Sequence, residues 1–218
     1  MNKLISHKLN NFINQKYIIK KMLPKILFII LLTFIQFEST LMKSPQTIIL
    51  IRHGEKLSDD YTNLSPEGQA RAKCLPELFT RNKLGYVPAK IYANKRSYTS
   101  TRPYDTVLPL AKSLGLQIEE FKKSSSKKLK DIFKNYSDKK TKDFVENILL
   151  RDKHDIILVC SSHINIPIIS ELLGKKVDAS GKKGFDKYFI FQNGKLIKEG
   201  RQSDYIAKCI QQKLKYFS

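Results

Sequence analysis

The sequence of 218 residues contains no tryptophan and only three cysteines, Cys74, Cys160 and Cys209. An odd and widely spaced set of this kind is not the disulfide framework of a small secreted domain. No two of the cysteines are close in sequence, so they do not suggest a metal site. Cys160 ends an apolar run, and we therefore expect it to be a buried, small hydrophobic residue.

Acidic residues are scarce as well, with 20 Asp and Glu against 40 Lys and Arg, so the formal charge is +20. Such an excess attracts anionic partners, among them phosphorylated substrates, nucleic acids and acidic membranes. The lysines are scattered, however, and a biased overall composition also accounts for them. Because no zinc-finger, leucine-zipper or aromatic RNA-binding pattern accompanies them, no nucleic-acid partner is expected.

The amino-terminal region has six lysines and no acidic residue up to position 25, and residues 26–37 carry no charge at all. A basic stretch before a short apolar one is typical of a secretory signal. A membrane span needs about 20 apolar residues, but no A-x-A cleavage site follows, so an uncleaved anchor stays open. We predict a leader at 1–43 and a secreted or membrane-anchored protein, with membrane association through residues 26–37. A cytoplasmic enzyme with an apolar appendage is the alternative.

The remaining length suits one domain, which we place at 44–210, followed by a tail at 211–218. Continuous apolar runs at 47–51 and 156–160 predict strands buried on both faces. Weaker signals predict strands at 90–93 and 116–118 and a hairpin that turns at Asn193-Gly194. Helices are predicted to begin near Ser65, after Arg102 and at Pro167. This alternation indicates an α/β fold with three layers, α/β/α, and a mainly parallel central sheet.

Both strongly apolar strands end in a loop that contains a histidine, His53 after the first and His163 after the second. Ligands of such sheets bind beyond the carboxyl ends of the strands. Arg52 precedes His53 directly, and Arg102 lies at a predicted helix start, where free backbone amides favour anions. A neutral imidazole can act as a nucleophile, and the planar guanidinium suits phosphate oxygens. The four residues therefore predict a phosphate pocket.

Four motifs in order resemble the histidine phosphatase (phosphoglycerate mutase-like) superfamily. They are RHGE at 52–55, LSPEGQARA at 64–72, STRPYDT at 100–106 and HINIP at 163–167, the last similar to a little-characterised subgroup. The resemblance covers about residues 46–200. It implies a phosphoglycerate mutase-like fold and a phosphohistidine intermediate on His53, with Arg52, Arg102 and His163 binding phosphate. It implies no metal and no cofactor.

The general acid is not decided by these motifs. The resemblance places an acidic residue after the third strand, where Glu119 and Glu120 are the candidates, and Glu55 beside the nucleophile is a third. We expect a phosphomonoesterase that acts on a small phosphorylated substrate or a phosphoprotein. Phosphoglycerate mutase-type transfer, a protein-phosphohistidine phosphatase and a non-catalytic binder of phosphate or phosphorylated ligands are the alternatives.

Overall fold

The computed structural model describes residues 22–25, 46–58, 60–122 and 130–217, with the side chains of 130–138 left out. The chain divides into two units, 1–44 and 45–218. In the first unit, Met22–Lys25 is helical, and the predicted apolar segment at 26–37 lies outside the described residues. Among the described residues, no helix has the length and apolar character needed to cross a membrane.

A six-stranded sheet forms the centre of the second unit. Its strands are β1 (Thr47–Arg52), β2 (Lys90–Asn94), β3 (Ile118–Phe121), β4 (Ile156–Ser161), β5 (Lys187–Gln192) and β6 (Lys195–Arg201). The order across the sheet is β3-β2-β4-β1-β5-β6. Strands β1 to β4 are parallel to one another, whereas β5 is antiparallel to β1 and β6 is antiparallel to β5. The predicted, mainly parallel sheet is confirmed.

Helices cover both faces of the sheet and give the predicted three layers. The helices are α1 (Pro66–Leu78), α2 (Arg102–Leu114), α3 (Lys130–Asn147), α4 (Asn165–Leu172) and α5 (Ser203–Leu214). Helices α1, α2 and α5 share a buried apolar cluster with the face that carries Ile51 and Cys160. Helices α3 and α4 share a second cluster with the face that carries Leu50 and Val159. The side chains of each buried strand thus alternate between two cores.

Several local expectations are confirmed at the ends of elements. Ser65 caps α1, where its side chain accepts a hydrogen bond from the Gly68 amide, and Pro66 is the first helical residue. The hairpin turns at Asn193 and Gly194, which have φ angles of 48° and 70°, as a type I′ turn requires. Cys160 is completely buried and free.

Three boundaries differ from the prediction. Strand β3 spans 118–121 rather than 116–118, because Leu116 still belongs to the turn that closes α2 at Gly115. Helix α4 begins at Asn165, two residues before Pro167, since a proline is tolerated anywhere in a first helical turn. Helix α5 continues to Leu214, so the predicted tail at 211–218 begins as helix.

A disulfide bond joins Cys74 of α1 to Cys209 of α5, with the Cα atoms 6.0 Å apart. We did not predict this pairing from the sequence, where the three cysteines were interpreted as too few and too widely spaced for a disulfide framework. These two residues are 135 positions apart in the sequence. They meet because α1 and α5 pack side by side on one face of the sheet, and this proximity has no local signature in the sequence.

Candidate active site

The two histidine-bearing loops leave the sheet at neighbouring points. Strands β1 and β4 are adjacent and parallel, and Arg52 is in register with Ser161, the last residue of β4. The His53 amide donates to the Ser161 carbonyl at 3.1 Å, so the two strand exits are hydrogen bonded to each other. His163 lies in the turn that follows β4. The adjacency of the strands brings the two predicted histidine segments together at the carboxyl edge of the sheet.

His53 is buried, with only 5% of its surface exposed. Its Nδ1 lies 2.8 Å from the Gly54 carbonyl oxygen. Because a carbonyl only accepts hydrogen bonds, Nδ1 carries the proton in the neutral ring, and the lone pair is left on Nε2. Burial, opposed in part by this hydrogen bond and helped by the charges of Arg52, Arg102 and His163, lowers the pKa of His53 to about 3. The imidazole is therefore neutral near pH 7.

Arg52 is held at its exit from β1 by residues from far along the chain. Its Nη1 donates to the carbonyls of Ala179 and Gly181 at 2.9 and 2.8 Å. Its guanidinium carbon lies 3.7 Å from the centre of the Phe185 ring. The backbone at Gly184 passes so close that a Cβ there would lie 2.0 Å from the Ala179 oxygen, so only glycine fits.

Arg102 is the first residue of α2, and its Nη1 donates to the Tyr61 carbonyl. The Thr106 hydroxyl accepts from the Gly54 amide at 2.8 Å and donates to the Arg102 carbonyl at 2.7 Å. Thr106 therefore connects the His53 loop to the helix turn that carries Arg102. The sequence did not reveal this role, because a single threonine in an amphipathic helix has no distinguishing pattern.

The exit of β4 is fixed by the buried side chain of Asn94, at the end of β2. Its Oδ1 accepts from the Ser161 hydroxyl at 2.8 Å and from the Ser162 amide at 3.1 Å. Asn165, two residues after His163, is 1% exposed, and neither polar atom of its amide has a hydrogen-bond partner in the described part of the chain. A buried amide of this kind has hydrogen-bonding capacity for a ligand.

The three candidate acids all form ion pairs. Glu55 pairs with Arg71, and Glu119 pairs with Lys90. Glu120 accepts from the Nε and the amide of Arg96, at 2.6 and 3.2 Å. Burial acts to raise the pKa of Glu120, but these bonds hold that pKa below its usual range.

The candidates Glu119 and Glu120 lie inside β3, not in a loop after it. They project to opposite faces of the sheet, as neighbouring residues of a strand do. Glu120 is in register with Ala93, which belongs to the cluster packed under α2, the helix that carries Arg102. Glu119 is in register with Tyr92, which belongs to the cluster on the opposite face. Glu120 is thus on the same side of the sheet as Arg102.

No protein-family profile matches the sequence, and no curated protein matches it. Solved structures do match. A phosphoglycerate mutase from Bacillus anthracis superposes with a TM-score of 0.52 at 15% identity, over 76% of this chain and 97% of that one. A putative alpha-ribazole-5'-P phosphatase from Escherichia coli gives a TM-score of 0.48 at 14% identity, over 66% and 89% of the two chains. A mycobacterial glucosyl-3-phosphoglycerate phosphatase gives 0.46 at 14% identity, over 66% and 89%.

Of these three structures, the mutase is the one that superposes with a TM-score above 0.5, and the similarity extends over nearly its whole length. Together with the strand order and the helical layers, this likeness shows that the protein has a phosphoglycerate mutase-like fold.

Proposed function

We propose that the protein is a phosphatase that hydrolyses phosphomonoesters through a phosphohistidine on His53. The observation that carries the proposal is the state of this residue: a buried neutral imidazole with its lone pair on Nε2, under the charges of Arg52, Arg102 and His163. A nucleophile held neutral amid cations is suited to attack an anionic phosphate.

The first half of the reaction forms a bond between Nε2 of His53 and phosphorus while the bond to the ester oxygen breaks. The guanidinium groups of Arg52 and Arg102 neutralise the charge on the non-bridging oxygens, together with His163. The leaving oxygen needs a proton, and we assign its delivery to Glu120 because it shares a sheet face with α2. Arg96 would have to release this carboxylate before it could take up a proton.

In the second half, water attacks phosphorus and the bond to Nε2 breaks, which releases phosphate and restores the neutral imidazole. The same carboxylate takes the proton of the attacking water. The Nδ1 hydrogen bond to Gly54 keeps the ring in one tautomer throughout. No residue role in this scheme uses a metal.

The direct test is hydrolysis of an aryl phosphate by the wild type and by His53→Ala. Loss of the nucleophile is expected to reduce kcat on the order of 10⁴-fold. His154→Ala is the matched control, because that histidine is exposed and pairs with Asp152. Acid-quenched wild type should carry an acid-labile phosphate that His53→Ala lacks.

A wild type that binds phosphate but does not hydrolyse the ester would contradict the enzyme proposal and favour the non-catalytic binder. Interconversion of phosphoglycerates faster than their hydrolysis would favour the mutase alternative.

We also propose that the domain matures in an oxidising compartment, to which the leader at 1–43 directs it. The Cys74–Cys209 disulfide supports this, since such bonds persist mainly outside the reducing cytosol. Mass spectrometry of the alkylated native protein should find this pair oxidised and Cys160 reduced. Amino-terminal sequencing would show whether the leader is removed, and membrane fractionation would show whether residues 26–37 act as an anchor. A fully reduced, soluble native protein would contradict the proposal.

A further inference from the structure

Arg71 of α1 is almost fully buried, with 5% of its surface exposed. Its Nε lies 3.0 Å from each carboxylate oxygen of Glu55, and its Nη1 lies 2.8 Å from Oδ1 of Asp186. A charge is kept in a protein interior only when its partners and hydrogen bonds compensate the lost hydration. Here the Arg71 guanidinium donates hydrogen bonds to two carboxylates, Glu55 and Asp186, that come from distant parts of the chain.

Each of these carboxylates belongs to a segment in contact with the candidate site. Glu55 is two residues after His53. Asp186 follows Phe185, whose ring lies 5.5 Å from the His53 ring and 3.7 Å from the guanidinium carbon of Arg52. The distance between the nucleophile loop and the Phe185 segment is therefore set through Arg71.

The far side of this bridge is anchored on α5. Asp186 accepts from the amide of Ser203 at 2.9 Å, from its hydroxyl, and from Nε of Arg201 at 3.0 Å. The Cys74–Cys209 disulfide then connects α5 back to α1, one helical turn after Arg71. A closed series of contacts thus runs from Arg71 through Asp186, α5 and the disulfide back to α1.

We propose that Arg71 is a positioning residue for the reaction, which holds the nucleophile loop against the Phe185 segment, and that the disulfide braces this bridge. The proposal rests on the function proposed above and deepens it. In this arrangement Glu55 is the anchor of the His53 loop rather than a proton donor. Lysine cannot replace Arg71, because a single ammonium lacks the planar fork that reaches both carboxylates.

The kinetic test compares Arg71→Lys, Glu55→Gln and the double variant. Misplacing a reacting group by about 1 Å is expected to cost kcat on the order of 10–100-fold, with KM altered by less than about threefold. Because both residues act through one contact, the double variant should be no slower than the slower single one. Lys83→Gln is the control and should match the wild type, because it removes only an exposed ion pair with Glu77, which lies on α1 like Arg71.

A second measurement does not depend on activity. His53 faces the charges of Arg52, Arg102 and His163, and burial is the main reason that its pKa is about 3. Loosening the Phe185 segment admits water, so an NMR titration of Arg71→Lys should show the His53 pKa moved up toward 6.5. Cys74→Ser should show a smaller rise in the same direction.

Unchanged kcat and an unchanged His53 titration in folded Arg71→Lys would overturn the proposal. If the wild type proves inactive, the proposed function fails, yet the titration still decides whether Arg71 positions His53. If Arg71→Lys does not fold, Asp186→Asn is titrated in its place, since it removes one carboxylate that pairs with Arg71. A raised His53 pKa in this variant supports the proposal, and an unchanged one overturns it.

Discussion

The exits of β1 and β3 differ sharply, although both lie on the same edge of the same sheet. Every residue of β1 is buried. Its last residue, Arg52, and His53 directly after it donate to the Ala179, Gly181 and Ser161 carbonyls. Strand β3 is the edge strand, and its two glutamates are exposed and paired with Lys90 and Arg96. The proposed phosphate-binding groups are thus built into the core, whereas the candidate proton donor comes from the periphery.

This difference has a physical reason. A nucleophile and phosphate ligands work best when they are preorganised and shielded from water. A proton donor must change its protonation state in each turnover, so contact with solvent suits it. The two regions should therefore respond differently to substitution, and four experiments test that contrast.

The largest effect is expected at a buried residue of the proposed phosphate pocket. Arg102→Ala removes a cation that we propose faces the transferring phosphoryl group, and such losses typically cost about 10²–10³-fold in kcat. The measurement is steady-state hydrolysis of an aryl phosphate, with Arg81→Ala, an exposed arginine beyond α1, as the control. A loss smaller than about threefold would remove Arg102 from the phosphate pocket.

The β3 side is tested with neighbouring residues that point to opposite faces. Glu120→Gln should lower kcat by about 10²-fold for an alkyl phosphate and much less for an aryl phosphate whose leaving group needs no proton. Glu119→Gln is the matched control and should leave both rates unchanged. Equal effects of the two substitutions would contradict the assignment of Glu120.

The buried state of His53 predicts a pH dependence of stability. Its folded pKa of about 3 lies below the ordinary 6.5, so the unfolded chain binds the proton more readily. The contribution of the buried neutral His53 to the free energy of unfolding is complete above pH 6.5. It is lost as the pH falls toward 3, by up to about 1.4 kcal/mol per pH unit. The free energy of unfolding, measured with urea at each pH in this range, should vary less with pH in His53→Gln than in the wild type. The same pH dependence in both proteins would contradict the buried neutral histidine.

The smallest effect is expected from the exposed pair between Lys90 of β2 and Glu119 of β3. Lys90→Gln breaks the contact with Glu119, and exposed pairs of this kind contribute about 0–1 kcal/mol to the free energy of unfolding. Thermal unfolding of the wild type and of Lys90→Gln at low and high salt measures the contribution of this pair. A loss of more than about 2 kcal/mol would show that β3 is braced as firmly as β1.

The sequence was informative where a pattern is local. The apolar runs before His53 and His163 predicted buried strands, and the parallel packing of β1 and β4 then places both loops at one edge. The motifs predicted the fold, which the structure confirms. The assigned roles of these residues stay predictions until the experiments above are done.

What sequence reasoning missed depends on distant contacts. Cys74 and Cys209 meet only because two helices pack together. Arg71 was quoted only as part of the LSPEGQARA motif, and its pairing with Asp186 was not predicted. Thr106 was missed because its hydroxyl acts through a backbone amide, for which no residue pattern exists. The β3 boundary was displaced because a short edge strand carries a weak periodicity.

The antiparallel direction of β5 has a consequence for how the chain acquires its site. Because β5 enters the sheet where β1 leaves it, the carbonyls that hold Arg52 lie 127 and 129 residues later in the sequence. A nascent chain that has reached Leu173 already contains all four pocket residues, but it lacks the segment that fixes Arg52 and covers His53. The site is therefore completed only late in synthesis, when most of the domain has already emerged.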